Sequence, residues 1–135
     1  MSTDVIESLP TSIKNVLGVH EIIRDERRGC IKITLDPNPE VLTIHGEPHG
    51  GYISLITIVS AEIAATNLLH EEEFLVVINH NVNFLRHVEA YEQELEIDSC
   101  VLSRGERIIY IETYVQCGGE DIAQAITSFI AEKRG

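Results

Sequence analysis

The chain has 135 residues, enough to bury most of its apolar surface in one core without disulfides or a structural metal. Hydrophobic residues at 44% and charged residues at 24% exclude a disordered chain. The 22 Asp and Glu against 10 Lys and Arg leave a net charge of −12, which repels a phosphate backbone, so nucleic acid is not expected as a partner.

Residues 1–16 carry Val5, Ile6, Leu9, Ile13 and Val16 at helical spacing around Pro10, which predicts a short N-terminal helical segment interrupted there. This start also carries Asp4 and Glu7 and has no long apolar run. Neither a signal peptide nor a membrane anchor is expected, and the cytoplasm is the expected compartment. Val19–Ile23 and Cys30–Leu35 suit strands, with Arg27-Arg28-Gly29 as the turn of a hairpin. Asp36-Pro37-Asn38-Pro39 ends the hairpin, and the stretch from Glu40 to Pro48 reads as an irregular connection. Within it His45, Glu47 and His49 crowd together, but their spacing matches no strong ligand pattern. Hydrogen bonds that fix the loop are expected, and no metal.

The run from Ile53 to Leu69 is apolar around nearly its whole circumference, which predicts a helix enclosed by protein. It measures about 25 Å at 1.5 Å per residue, and its Ser54, Thr57, Glu62, Thr66 and Asn67 argue against a membrane span. After the acidic turn Glu71-Glu72-Glu73 come strand candidates Phe74–Arg86, Gln93–Leu102, Arg107–Cys117 and Ile122–Ala131. Short joints at 103–106 and 118–121 predict an antiparallel meander. The three cysteines, Cys30, Cys100 and Cys117, are odd in number and lack close CxxC spacing. All are expected to be reduced, with Cys100 and Cys117 as small apolar fillers in strands.

A hairpin, a loop, one long buried helix and a four-strand meander form one α+β domain over residues 1–135, with its core at 17–131. His49-Gly50-Gly51 opens the helix, Phe84-Leu85-Arg86 closes the next strand, Gly105-Glu106-Arg107 stands at a turn, and Ala123-x-Ala125-x-Thr127-x-Phe129 lies in the last strand. These features resemble the hotdog acyl-CoA thioesterases of the phenylacetyl-CoA and 4-hydroxybenzoyl-CoA type. The resemblance implies an antiparallel sheet of about five to six strands wrapped around the helix. It implies also an acyl-CoA or acyl-carrier thioester as ligand, no cofactor, and a homodimer or tetramer with its site between subunits.

The chemistry fits such a motif, because two glycines let a ligand approach the backbone, and helix-start amides favour an oxygen gaining negative charge. By the resemblance, Gly50 or Gly51 polarises the thioester carbonyl and His49 shapes the loop. The family's acidic residue stands nine positions after the histidine, and here that position is Ile58. The usual base is absent, so a binding protein without turnover is the alternative reading. Gly51, Ser54, Ile58 and Glu62 share one line down the helix, and Glu62 leans back toward the missing carboxylate's place. Glu62 either takes over that role, or pairs with a basic or hydroxyl group, or reaches solvent at a subunit seam. Tyr52, Ser54, Asn81, Asn83 and Arg86 complete the candidate binding set, and Arg104 and Arg107 join Arg86 as candidates for coenzyme A phosphates. For Asn79, His80, Asn81 and Asn83, a cleft lining and a satisfied interface cluster remain equal alternatives.

Overall fold

Alternation of apolar and polar residues is what lets a strand bury one face, and it recurs through the second half of this chain. A computed structural model of the protein describes residues 18–25, 27–36, 50–86 and 94–134. Among these, the strands are β1 Val19–Asp25, β2 Cys30–Leu35, β3 Glu73–Phe84, β4 Leu95–Arg104, β5 Ile108–Cys117 and β6 Glu120–Lys133. The helix α1 spans Gly50–Thr66. All pairings are antiparallel, in the order β1-β2-β4-β5-β6-β3, so β1 and β3 are the edges. This is the hotdog fold. The expected N-terminal helical segment and the loop with His45, Glu47 and His49 lie outside the described residues.

The inner face is built by strand parity. Ile31, Ile33 and Leu35 of β2, Leu95 and Ile97 of β4, Ile109, Ile111 and Val115 of β5, and Phe129 of β6 are at most 3% exposed. They pack with Ile53, Ile56 and Ile63 of α1 in one cluster. Three hydroxyls are buried with them. Ser60 of α1 lies 2.7 Å from Ser99, and Ser99 lies 2.7 Å from Thr113, its cross-strand neighbour. Each is fully enclosed, and together they satisfy polar groups whose burial without partners would cost about 1–3 kcal/mol apiece.

Several boundaries differ from the sequence expectation by one to three residues, and two of the differences have a local cause. The helix stops at Thr66, three residues before Leu69, where the Leu68 and Leu69 amides donate to Ala65 and Thr66 carbonyls in tighter turns. β4 continues to Arg104 because a register shift between Val101 and Ser103 absorbs an extra residue before the turn.

The expectation of three reduced cysteines is overturned. Cys30 and Cys100 are directly paired residues of β2 and β4, and they form a disulfide across a sequence separation of 70. Local spacing cannot reveal a pair that only sheet register brings together. Cys117 stands outside the disulfide, half-buried, with its pKa raised by burial and by the Glu120 carboxylate.

Candidate functional site

The sequence opens α1 with two glycines, and the structure starts the helix at the first of them. The positive end of the helix dipole is therefore at Gly50-Gly51. A β-carbon on Gly50 would lie 3.4 Å from the Phe84 Cζ, so the Phe84 ring at the end of β3 lies against the helix start. Phe84 remains 58% exposed, which gives this end of the helix an apolar wall facing outward.

Helical geometry decides what continues from there. Ten of the seventeen residues of α1 are buried, from Tyr52 to Ala65. The other seven form a lengthwise strip: Gly50 half-buried, Gly51 exposed, Ser54, Leu55 and Ile58 half-buried, Glu62 and Thr66 exposed. The helix is thus enclosed by its own sheet except along the line that carries Gly51, Ser54, Ile58 and Glu62. Partial desolvation raises the Glu62 pKa above the ordinary carboxylate value, although its side chain reaches solvent in the single chain. Ile58 presents only hydrocarbon one turn earlier.

Other candidates fall elsewhere. Tyr52 is 4% exposed and belongs to the core cluster, so its ring faces the sheet and not the open strip. Asn81 and Asn83 alternate along β3 with His80, which reaches α1, and with Phe84, which lies against Gly50. Their side chains therefore project from the opposite face of the sheet, where Asn83 donates to Gln124 at 3.0 Å. The chain does not bring them to the helix start. All three arginines are engaged with carboxylates: Arg86 with Glu120, Arg104 with Glu73, and Arg107 with Glu132. The His70 amide and Arg104 hold the Glu73 carboxyl below the ordinary carboxylate pKa. His49 lies outside the described residues.

The structure adds a cluster that sequence reading did not assemble. His80 of β3 places Nε2 3.1 Å from Thr57 Oγ1 of α1 and Nδ1 2.7 Å from Thr127 Oγ1 of β6, its cross-strand neighbour. The Thr57 hydroxyl donates to the Ser54 carbonyl at 2.8 Å. Its proton being so used, the consistent tautomer carries hydrogen on Nε2 and accepts from Thr127 at Nδ1. One imidazole ties the edge strand, the helix and β6 together next to Ile58. The available signal was parity, since His80, Val82 and Phe84 share a strand face, and a threonine interrupts the apolar helix at Thr57.

Burial lowers the His80 pKa from its ordinary 6.5, with the Ser54 carbonyl opposing the shift in part. In the unfolded chain the ring takes a proton first, so its contribution is intact above pH 6.5 and is lost as pH falls through that value. Stability measured by urea titration should therefore decline as pH falls below about 6.5, and His80→Asn should flatten that decline. Glu73, with its lowered pKa, loses stability only in the more acid range below its ordinary 4.5. An unchanged slope in His80→Asn would exclude His80 as its source.

Comparison with known proteins gives fold matches only. No protein-family profile and no curated sequence matches the chain. Among solved structures, a phenylacetic acid degradation-related protein from Ralstonia eutropha JMP134 superposes with a TM-score of 0.82 at 18% identity, covering 95% of this chain and 96% of that one. A thioesterase from Haemophilus influenzae gives 0.77 at 17% identity, with 87% and 80% covered. A hypothetical thioesterase from Streptococcus pneumoniae TIGR4, solved with coenzyme A, gives 0.74 at 17% identity, with 84% and 86% covered. No helix among the described residues is long and apolar enough to cross a membrane.

Proposed function

We propose that this protein is a thioester hydrolase acting on an acyl group carried by coenzyme A or an acyl carrier, in a cleft completed by a second copy of the chain. The observation that carries this reading is the open strip on α1, which runs from the helix start at Gly50-Gly51 to a carboxylate of raised pKa at Glu62. In this reading the Gly50 or Gly51 amide polarises the thioester carbonyl, and the helix dipole stabilises the charge that develops on its oxygen. Phe84 and Ser54 flank the approach. Glu62 of the second copy, its proton affinity raised by partial desolvation, acts as the base that takes a proton from attacking water, since along one helix Glu62 stands about three turns from Gly51. The coenzyme A bound in the Streptococcus pneumoniae structure of the same fold supports the carrier class.

Uncovered surface supports the second copy. β3 is an edge strand on which Val76, Val77 and Ile78 are 39%, 44% and 48% exposed, and such an edge pairs readily with its like. Pairing there would extend the sheet and give the strip on α1 a neighbour. Sedimentation at micromolar concentration should show a dimer or tetramer; a monomer that still hydrolyses thioesters would remove the intersubunit cleft.

Glu62→Gln should lower the hydrolysis of a panel of acyl-CoAs about 100-fold, within the usual span of general-base loss, with little change in KM. Undiminished turnover would take Glu62 out of the mechanism. A second reading is favoured by Ile58: the protein binds the thioester and does not turn it over. Saturable calorimetric binding of an acyl-CoA recovered intact would establish that alternative.

A further inference from the structure

Directly opposed residues of neighbouring strands place their side chains on the same sheet face, and Cys30 and Cys100 share the outer face in this way. Two residues before Cys100 on that face stands Asp98, whose Oδ1 is 3.8 Å from the Cys100 sulfur. The ligand atoms of Cys30, Asp98 and Cys100 all lie within 4.8 Å of one another. A positive charge is already drawn into this group: the Arg28 guanidinium lies 3.3 Å from Asp98 Oδ2 and 3.7 Å from Cys100 Sγ. Arg28 also pairs with Asp25 at 3.6 Å, so it has a second carboxylate to hold it if another cation displaces it.

We propose that Cys30, Cys100 and Asp98 form a site for a thiophilic divalent cation of the zinc type, closed in the disulfide state and opened by reduction. This inference is independent of the thioesterase reading, since the group stands on the outer face of β2 and β4 and α1 packs on the inner one. Opening takes two molecules of a small thiol. The first attacks one sulfur of the disulfide and releases the other cysteine as thiolate; the second attacks the mixed disulfide, leaves as the small-molecule disulfide and frees the remaining cysteine. Two electrons and two protons pass to the protein, and the two small thiols are oxidised to one disulfide. The cation then displaces both thiol protons and takes two thiolates and one carboxylate oxygen, with the fourth tetrahedral position left to water. Two soft sulfurs select zinc or cadmium against magnesium and calcium. Asp98 and Arg28, at 38% and 59% side-chain exposure, leave the outer side accessible.

The test is an anaerobic titration of the full-length chain with cadmium, read by its thiolate-to-metal charge-transfer absorbance, with zinc added in competition. Reduced protein should bind one equivalent with the intensity of two thiolates, and oxidised wild-type protein should give no band. Because that contrast uses one unmutated chain, it does not depend on any variant folding. Asp98→Asn should weaken binding at least tenfold, Arg28→Gln should tighten it severalfold by removing the competing cation, and Cys117→Ser should change nothing. The proposal is overturned if the reduced chain gives no band, if the band survives oxidation, if Cys117→Ser abolishes it, or if Asp98→Asn binds as tightly as wild type.

Discussion

Ile58→Glu is expected to raise acyl-CoA hydrolysis by about 10²–10⁴-fold, the range that a positioned general base contributes. Ile58 lies on the open strip between Ser54 and Glu62, half-buried, with its inner side against the core cluster. Glutamate is close to isoleucine in length, and the open side gives its carboxylate access to water, so ionisation there does not require full burial. The position is about two helical turns from Gly51, against roughly three for Glu62. That offset of one turn decides which of the two carboxylates meets a carbonyl held at the helix start of the second copy. If Glu62 already serves as a distant base, adding Glu62→Gln to Ile58→Glu should leave most of the gain in place. If the natural protein only binds, the single variant should create turnover where none existed. A folded, dimeric Ile58→Glu that binds acyl-CoA and hydrolyses it no faster than wild type would place the reacting carbonyl away from this strip.

Much of the fold was legible because periodicity is local. The meander follows from Leu95, Ile97 and Ser99 alternating with Glu96 and Asp98, and each of those residues falls on the face that alternation assigns. The helix was equally clear, and the line from Gly51 to Glu62 is the side its own sheet leaves uncovered. What local pattern could not supply is which residues of different strands meet. The spacing of Asn81 and Asn83 fitted a cleft lining and a satisfied cluster equally, and only their parity with His80 shows that they lie on the sheet face away from the helix, where Asn83 bonds Gln124. The Thr57–His80–Thr127 cluster joins three elements through the pairing of β3 with β6, and the sequence separations are 23 and 47. Cys30 and Cys100 are further apart still, and one step of register would have moved them out of line.

That disulfide carries the largest stability effect expected of any single crosslink or ion pair among the described residues. Crosslinking residues 70 apart removes loop-closure freedom from the unfolded chain worth about 4 kcal/mol. The ion pairs around it, Arg28 with Asp25 and Asp98 and Lys32 with Glu96, are all more than a third exposed, and pairs of this kind contribute about 0–1 kcal/mol each. The crosslink therefore outweighs its polar surroundings in holding β2 to β4. Reduction of the wild-type protein should lower Tm by about 10–20 °C, taking roughly 3–5 °C per kcal/mol for a chain of this size. The Cys30→Ala/Cys100→Ala double variant should melt near the reduced protein, somewhat lower for the packing Cys30 loses, and its Tm should not respond to reductant. Because β2 contributes Ile31, Ile33 and Leu35 to the core, each at most 3% exposed, the loss should appear as a shift of the whole transition and not as fraying of one edge. A reductant effect below about 2 °C in the wild-type protein would mean that the unfolded chain gains little freedom when the link is cut, and that the packing of β2 alone holds the hairpin in place.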